Sequence, residues 1–277
     1  MERLTGVLLR VLRYALILAL GIAVLVPLLW MVSSSFMRHT EFFAVPIHWL
    51  PHQANAEAYG RLVLEQPFAR YYMNSIVISV VVSLSSVFFA TLTGFALSSK
   101  YSFAGKNAVF VFILGTMLLP FELIMIPLYI MMRALGLLNT YGAVIIPGLL
   151  GAFGVFLLRQ TINEIPGDLL DAGRIDGAHE LILFARIVMP LAMPVMAALL
   201  IFTFVGSWNS YFWPLVVINS ERLRTLTLAV AYMQGYYSTD YPLVMAAAVL
   251  SSLPIMLVFA FSQRFFIQSM TLSGLKG

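Results

Sequence analysis

Apolar residues do not alternate along this chain; they come in long blocks. Six blocks stand out: Tyr14 to Ser34, Ser75 to Ser98, Val109 to Met132, Gly142 to Leu158, Leu191 to Pro214 and Val244 to Phe261. A run of about 20 apolar residues crosses the hydrocarbon core as a helix. Backbone groups in lipid must be satisfied internally, and the blocks lack the two-residue alternation of a barrel strand. The pattern predicts an all-α membrane protein with six transmembrane helices. The first block is too long for a signal peptide and no A-x-A cleavage site comes after it, so it reads as an uncleaved span. Pro27 predicts a kink within it. The second block is rich in Ser and Thr, which let helices approach closely and bond backbone in lipid. In the fourth block Gly148, Gly151 and Gly154 share one face and predict tight packing.

Between the fourth and fifth blocks lies the longest charged interval, Glu164 to Pro190. It holds Glu164, Asp168, Asp171, Asp176 and Glu180 against Arg174 and Arg186, with Arg159 just before. The signals predict helix, turn, helix. Pro166 suits a first helical position, and Asp168 falls in the first turn, where the helix dipole favours a carboxylate. Leu169, Leu170, Ala172, Gly173 and Ile175 form one short apolar face. Gly177 suits a left-handed turn, and Asp176 is placed to cap the second helix. Ile182, Leu183 and Ile187 keep helical spacing until Met189-Pro190 ends the segment. A polar, helix-prone interval between two spans is a candidate contact for a water-soluble partner.

Composition sharpens this picture. Of 277 residues 61% are hydrophobic and only 10% charged, against about a quarter charged in a soluble domain. Cysteine is absent, which removes disulfides and thiol chemistry. The net charge of +4 carries no nucleic-acid signal. With six spans and a cytoplasmic N-terminus, ten Lys and Arg fall inside (Arg3, Arg10, Arg13, Lys100, Lys106, Arg159, Arg174, Arg186, Arg264, Lys276) and six outside. That bias favours this orientation. His39, His48 and His52 have poor spacing for a helix-borne metal site, with no carboxylate cluster beside them, and read as a solvated segment. His179 reads as a surface helix residue. No G-x-x-x-x-G-K-[ST] loop, zinc motif or G-x-S-x-G elbow occurs, so the chain offers no ATP-hydrolysing site of that type. Glu122 is the carboxylate placed well inside an apolar block. It either lines a path or bonds the backbone freed by Pro120 or Pro127, or an adjacent helix, and the second, structural reading is favoured.

Four strings carry a family resemblance. The first is Asp171-Ala172-Gly173-x-x-Asp176-Gly177 and then Ile187-x-Met189-Pro190. It resembles the EAA motif of bacterial ABC importer permeases, with matching spacing and three conservative departures at Asp171, Gly173 and Met189. Glycine at 173 costs about 1 kcal/mol against alanine in a helix. The others are Pro67 to Ser75 at the start of the second span, the GLLNTY turn from Gly136 to Tyr141, and Trp208-Asn209-x-x-x-Trp213-Pro214. The tail from Gln263 to Gly277 completes the likeness, which is strongest to the carbohydrate-uptake permeases of the maltose and glycerol-phosphate type.

The resemblance implies a division of the chain. Residues 1–66 form an N-terminal tail, first span and extracytoplasmic segment; residues 67–277 form the permease core, with a cytoplasmic coupling helix and a cytoplasmic tail. The chain is then a transport subunit and not an enzyme, in a bacterial inner membrane, carrying part of the path for a sugar or sugar-like solute. Its implied partners are a second permease subunit, two ATP-binding subunits and an extracytoplasmic solute-binding protein. It would hold no cofactor itself; ATP-Mg would be bound by the partner. Asp171, Ala172, Gly173, Arg174, Asp176 and Gly177 would dock on the ATP-binding subunit, with Asp171 and Asp176 making charge-assisted contacts to a basic rim. Glu122, Trp208 and Asn209 are candidates for the substrate path, although the Trp/Tyr cluster also reads as an interface belt. The rival reading is an ion-coupled secondary transporter or a multi-span membrane enzyme. It needs intramembrane ionisable groups or a polar constellation that the spans lack, Glu122 excepted.

Overall fold

The computed structural model describes residues 2–235 and 239–274. Among them there is no strand, only one isolated antiparallel bridge, Gln234 to Thr239. The chain forms two compact units, residues 1–69 with 229–253 and residues 70–228 with 254–277.

In the first unit, α1 runs Glu2–Ser34 with its apolar flank exposed, as a single lipid-facing span would be. Two short helices come next, α2 (His39–Phe42) and α3 (Glu57–Leu64). Ser35 shares a hydrogen bond of 2.8 Å with the Tyr59 hydroxyl, and Asn55 N–H donates to Phe36 O at 2.9 Å. Arg61 pairs with Asp240 at 2.5 Å, which holds its pKa above the ordinary value. His48 and His52 lie side by side, 3.4 Å between their Nε2 atoms.

The second unit carries α4 (Phe68–Ala96), α5 (Lys106–Thr116), α6 (Phe121–Ala134), α7 (Tyr141–Ile145), α8 (Ala152–Glu164), α9 (Gly167–Ile175), α10 (Glu180–Leu183), α11 (Met189–Trp208), α12 (Phe212–Val217) and α13 (Leu226–Tyr232), the last of these crossing into the first unit. The final helix, α14, spans Tyr241–Gly274. Residues 262–274 are described as backbone alone, and 275–277 lie outside the described residues, as do the tail's expected contacts.

Among the described residues five stretches are long and apolar enough to cross a membrane, and α5 with α6 makes a sixth only as a bent pair, turned by 104°. The expected third span is therefore broken. Pro120, at φ −56° and ψ 138°, leaves the helical region and α6 restarts behind it. Pro127 is tolerated inside α6. The fourth span is also interrupted, by a 3-10 turn at Ile146–Gly148 before α8 begins.

Close packing tracks the small residues. A Cβ at Gly148 would lie 2.9 Å from Val82, and one at Gly154 2.9 Å from Leu199 and 3.0 Å from Ala90; at Gly151 the nearest atom is 3.9 Å away. Gly94 is as tight, and against backbone: its Cβ would lie 2.9 Å from the backbone nitrogen of Arg159. Along α4, Ser75, Ser79, Ser83, Ser86 and Thr91 are all buried. Thr91 donates to Val87 O at 2.6 Å, and Ser75 accepts Leu226 N–H at 2.7 Å. In the expected turn, Gly136 (φ 67°) and Asn139 (φ 59°) take left-handed backbone. Asn139 accepts N–H bonds from Asn219 and Ser220, and Thr140 caps α7 through Ala143 N–H.

Candidate functional site

The charged interval folds as a compact helical hairpin. Pro166 sits one place before the first helical residue, with ψ 133°, rather than at the first position as its sequence context suggested. Asp168 does occupy the first turn of α9. The end of α9 satisfies its orphan carbonyls by a paired-bond cap: Ala178 N–H donates to Gly173 O at 2.9 Å and Gly177 N–H to Arg174 O at 3.0 Å. That closure requires left-handed backbone at Gly177, φ 83°. Asp176 closes α9 and does not cap α10. His179 takes that place, without a side-chain bond, because Gly177 and Ala178 are spent reversing the chain.

The second helix does not end at Met189-Pro190. Glu180 to Trp208 is one helical span, with a wider π turn at Phe184–Val188. A π turn shifts the bonding pattern where Pro190 has no N–H to donate.

The expected single apolar face is split in two. Leu170 is buried with Phe95, Ile162, Ile165, Leu183, Phe184 and Val188. Gly173 backs onto the return helix, where a Cβ would fall 2.5 Å from Leu183 and 3.3 Å from Ile187. Ile175 instead is 87% exposed and Leu169 half-exposed, with Leu181 also outward at 66%. Asp171, Ala172 and Asp176 share the exposed side.

A polar network ties the hairpin together. Arg174 reaches Asp171 at 2.8 Å and Glu180 at 3.0 Å. The Tyr101 hydroxyl donates to the same Glu180, and the Arg174 guanidinium lies 5.8 Å from the Tyr101 ring centre. The bond to Glu180 holds the Arg174 pKa above its ordinary value, and burial first, then Glu180, raises that of Tyr101. The segment from 97 to 106 braces the hairpin's base. Lys100 Nζ donates to Ile165 O at 2.5 Å, Ser99 N–H to Asn163 Oδ1 at 2.7 Å, and Arg159 Nε to Leu97 O at 2.7 Å while lying over the Phe110 ring. Sequence reasoning singled out Asp171, Ala172, Gly173, Arg174, Asp176 and Gly177, and all six fall on this hairpin. It missed the roles of Tyr101, Lys100 and Glu180, whose partners lie 65 to 79 positions away or across the turn.

The three substrate-path candidates differ in their placement. Glu122 is exposed in the first turn of α6, and no bond joins it to backbone freed by Pro120 or Pro127. Trp208 is 2% exposed and stacks on Phe204, with Tyr72 edge-on. Trp213 is buried too, its indole N–H donating to Ala143 O at 2.8 Å. Both indoles pack into the protein, so they do not form the lipid-interface belt that the cluster suggested. Asn209 is exposed at the end of α11.

A segment that buries one face, rigidly caps itself and leaves an acid-flanked isoleucine outward can seat in an apolar groove with basic edges. The family model described as binding-protein-dependent transport system inner membrane component matches residues 86–272. The chain belongs to this family. Its relatives agree over much of their length. The arabinooligosaccharides transport system permease protein AraQ of Halalkalibacterium halodurans is 35% identical over 254 residues, covering 91% of each chain. The sn-glycerol-3-phosphate transport system permease protein UgpE of Brucella abortus is 30% identical over 265 residues, covering 92% of this chain and 94% of that one. The lactose transport system permease protein LacG of Rhizobium radiobacter is 36% identical over 199 residues, 72% of each. A chain in the crystal structure of a bacterial ABC transporter that imports alginate has the same fold, with TM-score 0.84 and 24% identity over 94% of this chain and 96% of that one. The inner-membrane component family thus supplies the fold, an all-α multi-pass permease.

Proposed function

We propose that this chain is the membrane-spanning permease subunit of an ATP-driven importer for a sugar or sugar-like solute. It works with a second permease, two ATP-binding subunits that hold ATP-Mg, and an extracytoplasmic binding protein. The hairpin at 164–190 is the cytoplasmic coupling element, and both termini lie in the cytoplasm. The observation that carries this reading is the outward Ile175 on a hairpin whose turn is closed by Gly177 and whose far side is buried. Movement of the ATP-binding subunits would shift such a hairpin as a rigid body and tilt the attached spans between outward and inward access. The Asp171 side chain stays 66% exposed while pairing with Arg174, and Asp176 has no side-chain partner among the described residues, so both are available for charge-assisted contacts. The substrate class is supported by the names of the relatives, arabinooligosaccharide, lactose and glycerol phosphate permeases.

The test is reconstitution with the cognate ATP-binding subunit and binding protein. Ile175→Asp should strip the ATP-binding subunit during purification or remove binding-protein-stimulated ATP hydrolysis, while the permease itself still folds. Unchanged stimulation and uptake in that variant would count decisively against the coupling role.

A further inference from the structure

Three interruptions in the helical path of the second unit meet at one cleft. They are the 104° bend between α5 and α6, the 3-10 turn and loop before α8, and the gap between α11 and α12. Phe121, Gly151, Ser210 and Trp213 come from these breaks and line a cleft of about 400 Å³. Irregular backbone is tolerated within a membrane only where it is buried in protein or lines a cavity. In other transport folds, broken helices mark where the solute binds. Their convergence here is a reason to read the cleft as a passage and not as a packing defect.

Its chemistry is specific. Ser86 of α4, Thr203 and Ser207 of α11, and Ser210 are the hydroxyl-bearing residues of a lining that is otherwise apolar side chains and glycine. Thr203 donates to Leu199 O at 2.8 Å and keeps its lone pairs. No hydrogen bond engages the hydroxyls of Ser207 and Ser210 among the described residues. One wall is aromatic: Phe121 meets Trp213 edge-on, with ring centres 5.9 Å apart at 88°. The Trp213 N–H is already spent on Ala143 O, so this indole offers a carbon face and no donor. No lining residue is charged, and no Lys or Arg is among them. Neutral hydroxyls opposite aromatic carbon suit a neutral polyhydroxylated ring, whose C–H face packs on the wall while its own hydroxyls exchange bonds. A phosphate ester would lose water and find no cation there.

We propose that this cleft is a subsite for one neutral sugar ring in transit, an assignment that rests on the reading of the chain as a sugar importer's permease. Few hydroxyls and one aromatic wall give weak holding, as passage requires.

The test uses the complete reconstituted importer in proteoliposomes, with radiolabelled arabinotriose, lactose and glycerol 3-phosphate as probes. Solute moved per ATP hydrolysed is the readout. Gly151 has ordinary backbone, φ −104° and ψ 130°, and a Cβ there lies 3.9 Å from Ser86 Oγ, so Gly151→Thr narrows the cleft while still able to cap α8. It should lower the ratio about tenfold, the factor that corresponds to about 1.4 kcal/mol of overpacking against the ring. Ser207→Ala keeps the volume and should lower the ratio about fivefold, the factor for one net hydrogen bond. An unchanged ratio in Ser207→Ala overturns the subsite, whatever happens to assembly in Gly151→Thr. Glycerol 3-phosphate carried as efficiently as the sugars, with the same sensitivity to both variants, overturns the neutral-ring assignment. Failure of the unaltered importer to move any of the three probes with ATP counts against the permease reading itself, and is thereby told apart from failure of the subsite.

Discussion

Gly173 shows how much a single position can hide. Read along the chain, it is a helix-weakening departure from alanine costing about 1 kcal/mol. In the folded hairpin its missing Cβ is the space that Leu183 and Ile187 enter. Gly173→Val should force the two helices apart and destabilise the protein by about 1–3 kcal/mol, the usual range for overpacking. Thermal denaturation of the detergent-purified complex would show it, and an unshifted transition would contradict the packing. Arg174 is the opposite case. Its bonds to Asp171 and Glu180 look impressive, but both carboxylates are half or more exposed and the arginine about a third. Exposed ion pairs contribute about 0–1 kcal/mol. Arg174→Ala should therefore leave the midpoint nearly unmoved, and a double-mutant cycle with Glu180→Gln should return a coupling below about 1 kcal/mol. The residues singled out by their spacing share one hairpin, because turn and helix signals are local. Their pairing partners stayed hidden, since Tyr101 reaches Glu180 only after the chain has crossed two further spans.

At the scale of elements, helix contacts in this chain are decided by where a side chain is missing. Gly94 faces backbone that cannot swing away, 2.9 Å from Arg159 N and 3.2 Å from Leu158 C. Gly94→Ala should cost about 1–3 kcal/mol despite the better helix former. Gly206 lies within α11 with nothing within 4 Å of its Cβ position, so Gly206→Ala should be neutral or stabilising by up to about 1 kcal/mol. Comparing the two midpoints tests whether packing or propensity governs, and equal shifts would refute the packing argument. Six apolar runs were legible because each is near the length needed to cross the hydrocarbon. Their interruptions were not. Pro120 breaks a helix, Pro127 sits inside one, and Pro190 starts a turn of a continuing helix. A proline's outcome depends on whether neighbouring backbone can absorb the lost bond, which no local pattern encodes.

For the whole molecule, the proposed orientation yields a clean experiment because the chain has no cysteine. A single cysteine at Asp176 should react with a membrane-impermeant maleimide only in inside-out vesicles, and one at Gln53 only in right-side-out vesicles. The reverse labelling would remove the coupling role and the orientation together. Uptake should also stop with a non-hydrolysable ATP analogue and survive dissipation of the proton gradient, which separates an ATP-driven importer from an ion-coupled one.

What the amino-acid order settled unaided was the solvent of the chain, the approximate number of crossings and the location of the one long charged hairpin. These come from length, hydropathy and turn chemistry, all local quantities. Folding alone decided which side of that hairpin is buried, which loop braces it, and that three broken helices share a cleft. Each of those depends on distant segments arriving at one place, where van der Waals contact and hydrogen-bond geometry act over a few ångströms and leave no periodic trace in the sequence.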